Sequence, residues 1–222
     1  MTGAYFKPWI GKKFGETKLL IMSESAYSWR DKDGKVVDPP PSHPTDQVLH
    51  WIDHFGEQKY YTTMGRALCG TNIPTNDKLK RVWNECAYTI FVQGTVGEGW
   101  NSRPSETQWK NAALHFIPLI EKIRPLKVIV TGKTMWNGYM PDCNGPHLSD
   151  DIQSYKLSDD TLVWCLAVHH PSRGIRWEEV GEKIRVFRSI KCGGPGCSDS
   201  FCFFLSGSSC FWFRLPGLPA GG

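Results

Sequence analysis

Four short, nearly uninterrupted apolar runs constrain this chain more than anything else in it: Lys18–Ser23, Ala87–Gln93, Lys127–Thr131 and Leu162–Val168. A strand with one wet face alternates apolar and polar side chains, whereas an unbroken run suits a strand buried on both faces. The stretches between the runs carry helix signals. Thr45 or Asp46 precedes QVLHWIDHF, Thr75 precedes NDKLKRVWNEC, and Ser105 and Gln108 are spaced as a capping box opening a helix toward Arg124. A further helix is expected over Trp177–Arg188. Strands alternating with helices imply a parallel sheet covered by helices, so the expected fold class is α/β, a three-layer α/β/α arrangement with a four-stranded parallel sheet. Arg30–Pro44 contains three successive prolines and reads as a loop.

Residues 1–191 suffice for one such domain. With 40% hydrophobic and 22% charged residues, the chain has a globular composition. The last 31 residues, 192–222, change character: only Asp199 and Arg214 are charged, and Gly, Ser, Cys and Phe dominate. They are set apart as a low-complexity C-terminal tail, expected to be disordered or non-native. Cys192, Cys197, Cys202 and Cys210 match no paired zinc-ligand spacing and no histidine lies near them, so no metal site is expected there. The opening residues lack a secretory apolar core, which leads us to expect a cytoplasmic location and reduced thiols at Cys69, Cys86, Cys143 and Cys165. No run approaches the roughly 20 apolar residues of a membrane-spanning helix. A net charge of +4 permits a polyanionic partner without demanding one.

Open parallel sheets bind ligands beyond the carboxyl ends of their strands, so chemistry is sought there. The first end, Ser23-Glu-Ser-Ala-Tyr-Ser-Trp29, offers a carboxylate, hydroxyls and two rings; its bland reading is a polar loop capped by Ser25 with Tyr27 and Trp29 in the core. The last, His169-His-Pro-Ser-Arg-Gly-Ile175, puts an imidazole, a hydroxyl and a guanidinium on one turn, where Ser172 and Arg173 can meet phosphate. Its bland reading is a strand-end histidine beside a surface arginine. Gly132-Lys133-Thr134 lacks the earlier glycine of a phosphate-binding loop, because Lys127 stands in its place. His50 and His54 are four apart on a helix, without a third ligand or an HExxH glutamate, and are read as solvated or capping residues.

Together these pieces resemble the uracil-DNA glycosylase superfamily, and in particular its compact bacterial branch, over about residues 16–187. Leu20-Ile-Met-Ser-Glu-Ser-Ala-Tyr27 resembles the first motif, a strand entering a water-positioning loop that ends in a tyrosine wall. His170-Pro-Ser-Arg-Gly resembles the second, in which a histidine contacts the base and the Pro-Ser loop presses on the DNA backbone. Ala87–Gln93, Arg103-Pro-Ser-Glu-Thr-Gln-Trp109 and Ile123–Gly132 are similar to the middle of the family. The chain departs from the pattern at Ser25, where characterised members place Asp or Asn, at Ile90, near the base-reading Asn, and at Ala26, where the branch usually offers a bulkier polar residue.

The resemblance implies hydrolysis of the N-glycosidic bond of a flipped, damaged or deaminated base of the uracil, hypoxanthine or xanthine class. Glu24, Ser25 and His170 would be catalytic, Tyr27, Ile90 and Phe91 would form the base pocket, and Ser172, Arg173, Gly174, Ile175 and Arg176 would contact DNA. Ile175 would either fill the gap left by the flipped base or anchor the following helix in the core. The implied partner is DNA containing a damaged base, acted on by a monomer with no cofactor, metal or membrane; the cysteine ligands of the family's iron-sulfur members are missing. The alternative from another class is a non-catalytic DNA- or nucleobase-binding module of the same fold.

Overall fold

A computed structural model describes residues 5–99 and 101–190, and beyond them two short strands. β1 (Trp9–Ile10) and the one-turn helix α1 (Phe14–Thr17) lead into β2 (Leu19–Ser23), followed by β3 (Ala26–Arg30), β4 (Val36–Val37) and three helices, α2 (His43–Asp53), α3 (Lys59–Cys69) and α4 (Asn76–Asn84). The chain continues through β5 (Cys86–Ile90), β6 (Thr95–Glu98), α5 (Glu106–Ile123), β7 (Lys127–Thr131) and α6 (Lys133–Tyr139). It then forms the hairpin β8 (His147–Ser149) and β9 (Ile152–Lys156), β10 (Leu162–Val168) and α7 (Trp177–Ser189). β11 (Cys202–Phe204) and β12 (Cys210–Trp212) pair antiparallel; otherwise the expectation for 192–222 lies outside the described residues.

The four apolar runs are the four parallel strands, adjacent in the order β5-β2-β7-β10. The expected count is corrected: the main sheet has seven strands, because β1 pairs antiparallel outside β5, and β9 and then β8 extend it antiparallel beyond β10. No apolar run announces these edge strands. β4 lies inside the stretch read as a loop, and it joins β3 and β6 in a separate three-stranded sheet.

Alternate residues of the central strands enter two cores. Leu19, Ile21 and Tyr88 face Val48, Met64 and Ile184, from α2, α3 and α7. Leu20, Met22 and Val130 face Phe116, Ile120 and Met135, from α5 and α6. Helices therefore cover both sides of an α/β sheet. Two predicted caps form: Lys78 N–H donates to Thr75 Oγ1, and Ser105 and Gln108 close a reciprocal capping box at the start of α5. α2 begins earlier than Thr45, at His43, because Pro44 in its first turn has its backbone already set for a helix.

Lys127 ties the sheet to α7. Its buried ammonium donates to the carbonyl oxygens of Arg188 (2.5 Å) and Ile190 (2.7 Å), at the helix end where carbonyls lack intrahelical partners. Among the described residues no helix is long and apolar enough to cross a membrane. Lys127→Met leaves those carbonyls without their donor and is expected to lower unfolding stability by about 1–3 kcal/mol. Urea denaturation measures this, and an unchanged midpoint would remove Lys127 as the anchor of α7.

Candidate functional site

The ladder between β2 and β5 continues past the end of β2: Phe91 N–H donates to Ser23 O (2.8 Å) and Val92 N–H to Glu24 O (3.0 Å). Glu24 is thereby fixed at the carboxyl edge of the sheet, half-buried. Gly132, at the end of β7, donates its N–H to Val168 O (3.0 Å) and has φ +157°. A Cβ there would stand 3.7 Å from Glu24 Oε2, in ordinary contact, so the end of β7 runs directly beside the carboxylate.

At the end of β10, Arg173 N–H donates to His170 O (2.9 Å), closing a turn that is followed by Gly174 at φ +74°, where a Cβ is strained. Ser172 lies over the imidazole: its backbone N–H donates to His170 Nδ1 at 3.3 Å, and its Oγ is 2.7 Å from the same atom. A backbone amide can only donate, so Nδ1 accepts and the neutral ring carries its proton on Nε2.

Burial pushes the His170 pKa down to about 4, assisted by the positive charges of Arg173 and Arg103. The ring is therefore neutral at pH 7. Burial raises the Glu24 carboxyl, while the same two guanidiniums, Arg103 and Arg173, pull it partly back. Glu24 and His170 follow the carboxyl ends of β2 and β10, and the charges of Arg103 and Arg173 act on both. Among the described residues neither arginine has an ion-pair partner. The arrangement offers a poorly solvated carboxyl that can hold water, a neutral N–H donor for an oxygen gaining charge, and two cations for an anion.

The other expected residues divide. Ser25 and Tyr27 stay beside Glu24, both half-buried, with Ser25 Oγ donating to Tyr27 OH (3.4 Å). Ile90 and Phe91 are corrected: both are buried in the core, and the Phe91 ring packs 6.1 Å from Trp109 and 6.2 Å from Phe116, so it offers no face to a ligand. Ile175 is the core anchor of its two readings, packed half-buried against the cluster that includes α7. Ser172 and Gly174 are exposed on the turn. Arg176 stands 3.7 Å from Glu178, and Arg103, rather than Arg176, is the second cation acting on the site.

Arg103 and Tyr60 were missed as site residues. The signal for Arg103 was its place just before α5: a helix that follows a strand starts at the strand's carboxyl edge, so the loop entering it borders the site. Tyr60 belongs to α3, a helix without a start signal of the kind that marks α4 and α5, and its ring lies 5.4 Å from that of His170.

Two concavities lie away from Glu24 and His170. One, about 600 Å³, is lined by Glu106, Lys133, Thr134, Asn137, Gly138 and Tyr139; its lysine is already paired with Asp151. The other, about 430 Å³, runs between α3 and α7. His50 and His54 stack at 4.2 Å at the end of α2, with the His54 ring bonded to His50 O. Among the described residues no group of three or more His, Cys, Asp or Glu could hold a metal ion. The chain matches no protein-family model and no curated protein.

Between about pH 6.5 and 4 the unfolded chain takes up a proton at His170 that the folded chain refuses, so stability should fall as pH drops through that window. His170→Asn should flatten the fall, and NMR titration should give a His170 midpoint near 4; a midpoint near 6.5 would mean a solvated ring. For Glu24 the sign is opposite, since its raised pKa disfavours the ionised folded state as pH rises above 4.5. Glu24→Gln should accordingly be more heat-stable than the unaltered chain at pH 8, and a loss of stability would contradict the buried-carboxyl picture.

Proposed function

We propose that this chain is a DNA glycosylase-like hydrolase that cleaves the N-glycosidic bond of a flipped, damaged or deaminated base of the uracil, hypoxanthine or xanthine class. One observation carries the reading: a half-buried carboxyl and a neutral imidazole with its proton on Nε2 stand at one sheet edge, at the ends of β2 and β10. These are the two strand ends whose sequences resemble the superfamily's first and second motifs.

Cleavage of the bond separates an oxocarbenium-like sugar from a base leaving as an anion. His170 Nε2–H would donate to the base oxygen on which that charge develops, a preorganised contact worth about 3 kcal/mol. A neutral donor suits this step, because the ring needs neither to gain nor to lose a proton beforehand. Glu24 would hold the attacking water and oppose the positive charge on the sugar, most effectively where little solvent screens it. Flipping costs a few kcal/mol, least for a damaged or mispaired base, which gives a source of selectivity. Arg103 and Arg173 would meet the flanking phosphates. The proposed partner is damaged DNA, bound by a monomer in the cytoplasm.

A second reading, a binding module without catalysis, draws on two details. The Ser25 hydroxyl is engaged with Tyr27, and Ile90 brings no polar atom to the cleft.

Alkaline strand nicking after incubation with duplexes containing uracil, hypoxanthine or xanthine separates the two. The hydrolase nicks at least one duplex, and Glu24→Gln and His170→Ala each slow release by about 100-fold or more. DNA retention without release on any of the three establishes the module. In either case the Arg103→Ala, Arg173→Ala double variant should flatten the salt dependence of DNA binding by about 0.9 log unit for each phosphate that an arginine neutralises in the unaltered protein. An unchanged slope would remove both arginines from the DNA interface.

A further inference from the structure

We propose that Tyr60 is the positioning residue of this site: its ring, 5.4 Å from the His170 ring and tilted by 48°, holds the imidazole with Nε2–H toward the cleft, and its hydroxyl pins that ring to the strand ends that carry the site. The inference rests on reading His170 as the donor and adds what keeps it in place.

Ser172 fixes His170 from the Nδ1 side only. Among the described residues, Tyr60 is the aromatic neighbour of the imidazole. It is buried, and it cannot swing aside, because it packs edge-on against Tyr61 at 4.9 Å and Tyr61 is itself stacked on Trp51 at 5.6 Å.

The hydroxyl is directed as well. Thr131 Oγ1 gives its one hydrogen to Met22 O (3.0 Å), so Tyr60 must be the donor in its 3.0 Å bond to Thr131 Oγ1. Met22 lies two residues before Glu24 on β2, and Thr131 precedes Gly132, which shapes the space beside the Glu24 carboxylate. One side chain from α3 thus links the imidazole at the end of β10 to the ends of β7 and β2. Burial keeps the phenol protonated, so it serves as a wall and a donor, not as an acid or base.

The test is the His170 titration and tautomer, read by long-range proton–nitrogen NMR in the resting protein. Tyr60→Phe keeps the ring but loses the hydroxyl tether, and should shift the midpoint upward from about 4 by less than the Leu variant does, with Nε2–H still the main form. Tyr60→Leu should raise the midpoint by about one unit or more, a tenfold change in the protonation equilibrium, and mix the tautomers. A Leu variant with both unchanged overturns the proposal, as does a Phe variant that shifts as far as Leu. If the Leu variant does not fold, nuclear Overhauser contacts between the two rings in the unaltered protein decide, and their absence overturns it. All of these readings are made without substrate, so a protein that releases no base leaves the result on Tyr60 intact. If base is released, Tyr60→Leu should lower kcat more than it alters KM.

Discussion

Burying both faces of four parallel strands leaves the chain only the strand ends for polar chemistry. Side chains of β2, β5, β7 and β10 point alternately into two helix-covered cores, so a charged group within any of them would need a partner such as the carbonyl pair that Lys127 finds on α7. Because the strands run parallel, their carboxyl ends fall along one edge. Residues far apart in sequence, Glu24, Arg103, Gly132 and His170, meet there without any of them having to penetrate the sheet. The antiparallel strands β1, β9 and β8 extend this frame sideways, and the second sheet begins at that edge, with β3 following β2 and β6 following β5.

Desolvation dominates the electrostatics at the edge and acts in opposite senses on the two central groups. It disfavours imidazolium at His170 and carboxylate at Glu24, and so pushes both toward neutrality. Arg103 and Arg173 break the symmetry. Their positive charges add to burial at His170 and oppose it at Glu24, which keeps the ring a neutral donor while favouring charge on the carboxyl. A fold selected for stability alone would have little reason to gather two guanidiniums around a half-buried acid without closing an ion pair among the described residues, and such cost at one location is a mark of functional sites.

The legible part of this protein was the part whose pattern is local. Continuous apolar runs predicted the four parallel strands to within a few residues, and Thr75 and Ser105 announced α4 and α5 through hydrogen bonds that span three residues. Glu24 and His170 could be singled out because each closely follows such a run. What escaped depended on distance in space. β1 and β8 are too short to show a period, β9 carries no apolar run, and β3 pairs on one side with the two-residue β4 and on the other with β6, some 70 residues on, so most of its partnering is invisible from Ala26–Arg30 itself. Phe91 looked available because it follows β5, yet the Phe91 ring points into the core beneath the sheet, where Trp109 and Phe116 wait. Arg176 stands out beside Arg173 as a DNA contact because it is three residues away, whereas Arg103, which joins Arg173 in acting on Glu24 and His170, comes from another loop 70 residues before Arg173.

The paired arginines also make the two central groups respond differently to an anionic ligand. A phosphate that neutralised Arg103 and Arg173 would remove the charges that hold both pKa values down, so both would rise. The covering ligand would also expel water, and further desolvation raises a carboxyl but lowers an imidazole. At Glu24 the two effects add; at His170 they oppose each other. The imidazole starts well below its ordinary value, at about 4, so it stays neutral at pH 7 through a considerable change in its surroundings. Glu24, by contrast, is driven toward protonation by both effects, and a positive charge arising on the ligand itself would oppose them. In the proposed glycosidic cleavage, a sugar that becomes cationic as its base departs would supply that charge at the moment the bond breaks, so the carboxylate would be stabilised by the transition state more than by the bound ground state, which is the condition for a group to accelerate a reaction and not merely to bind.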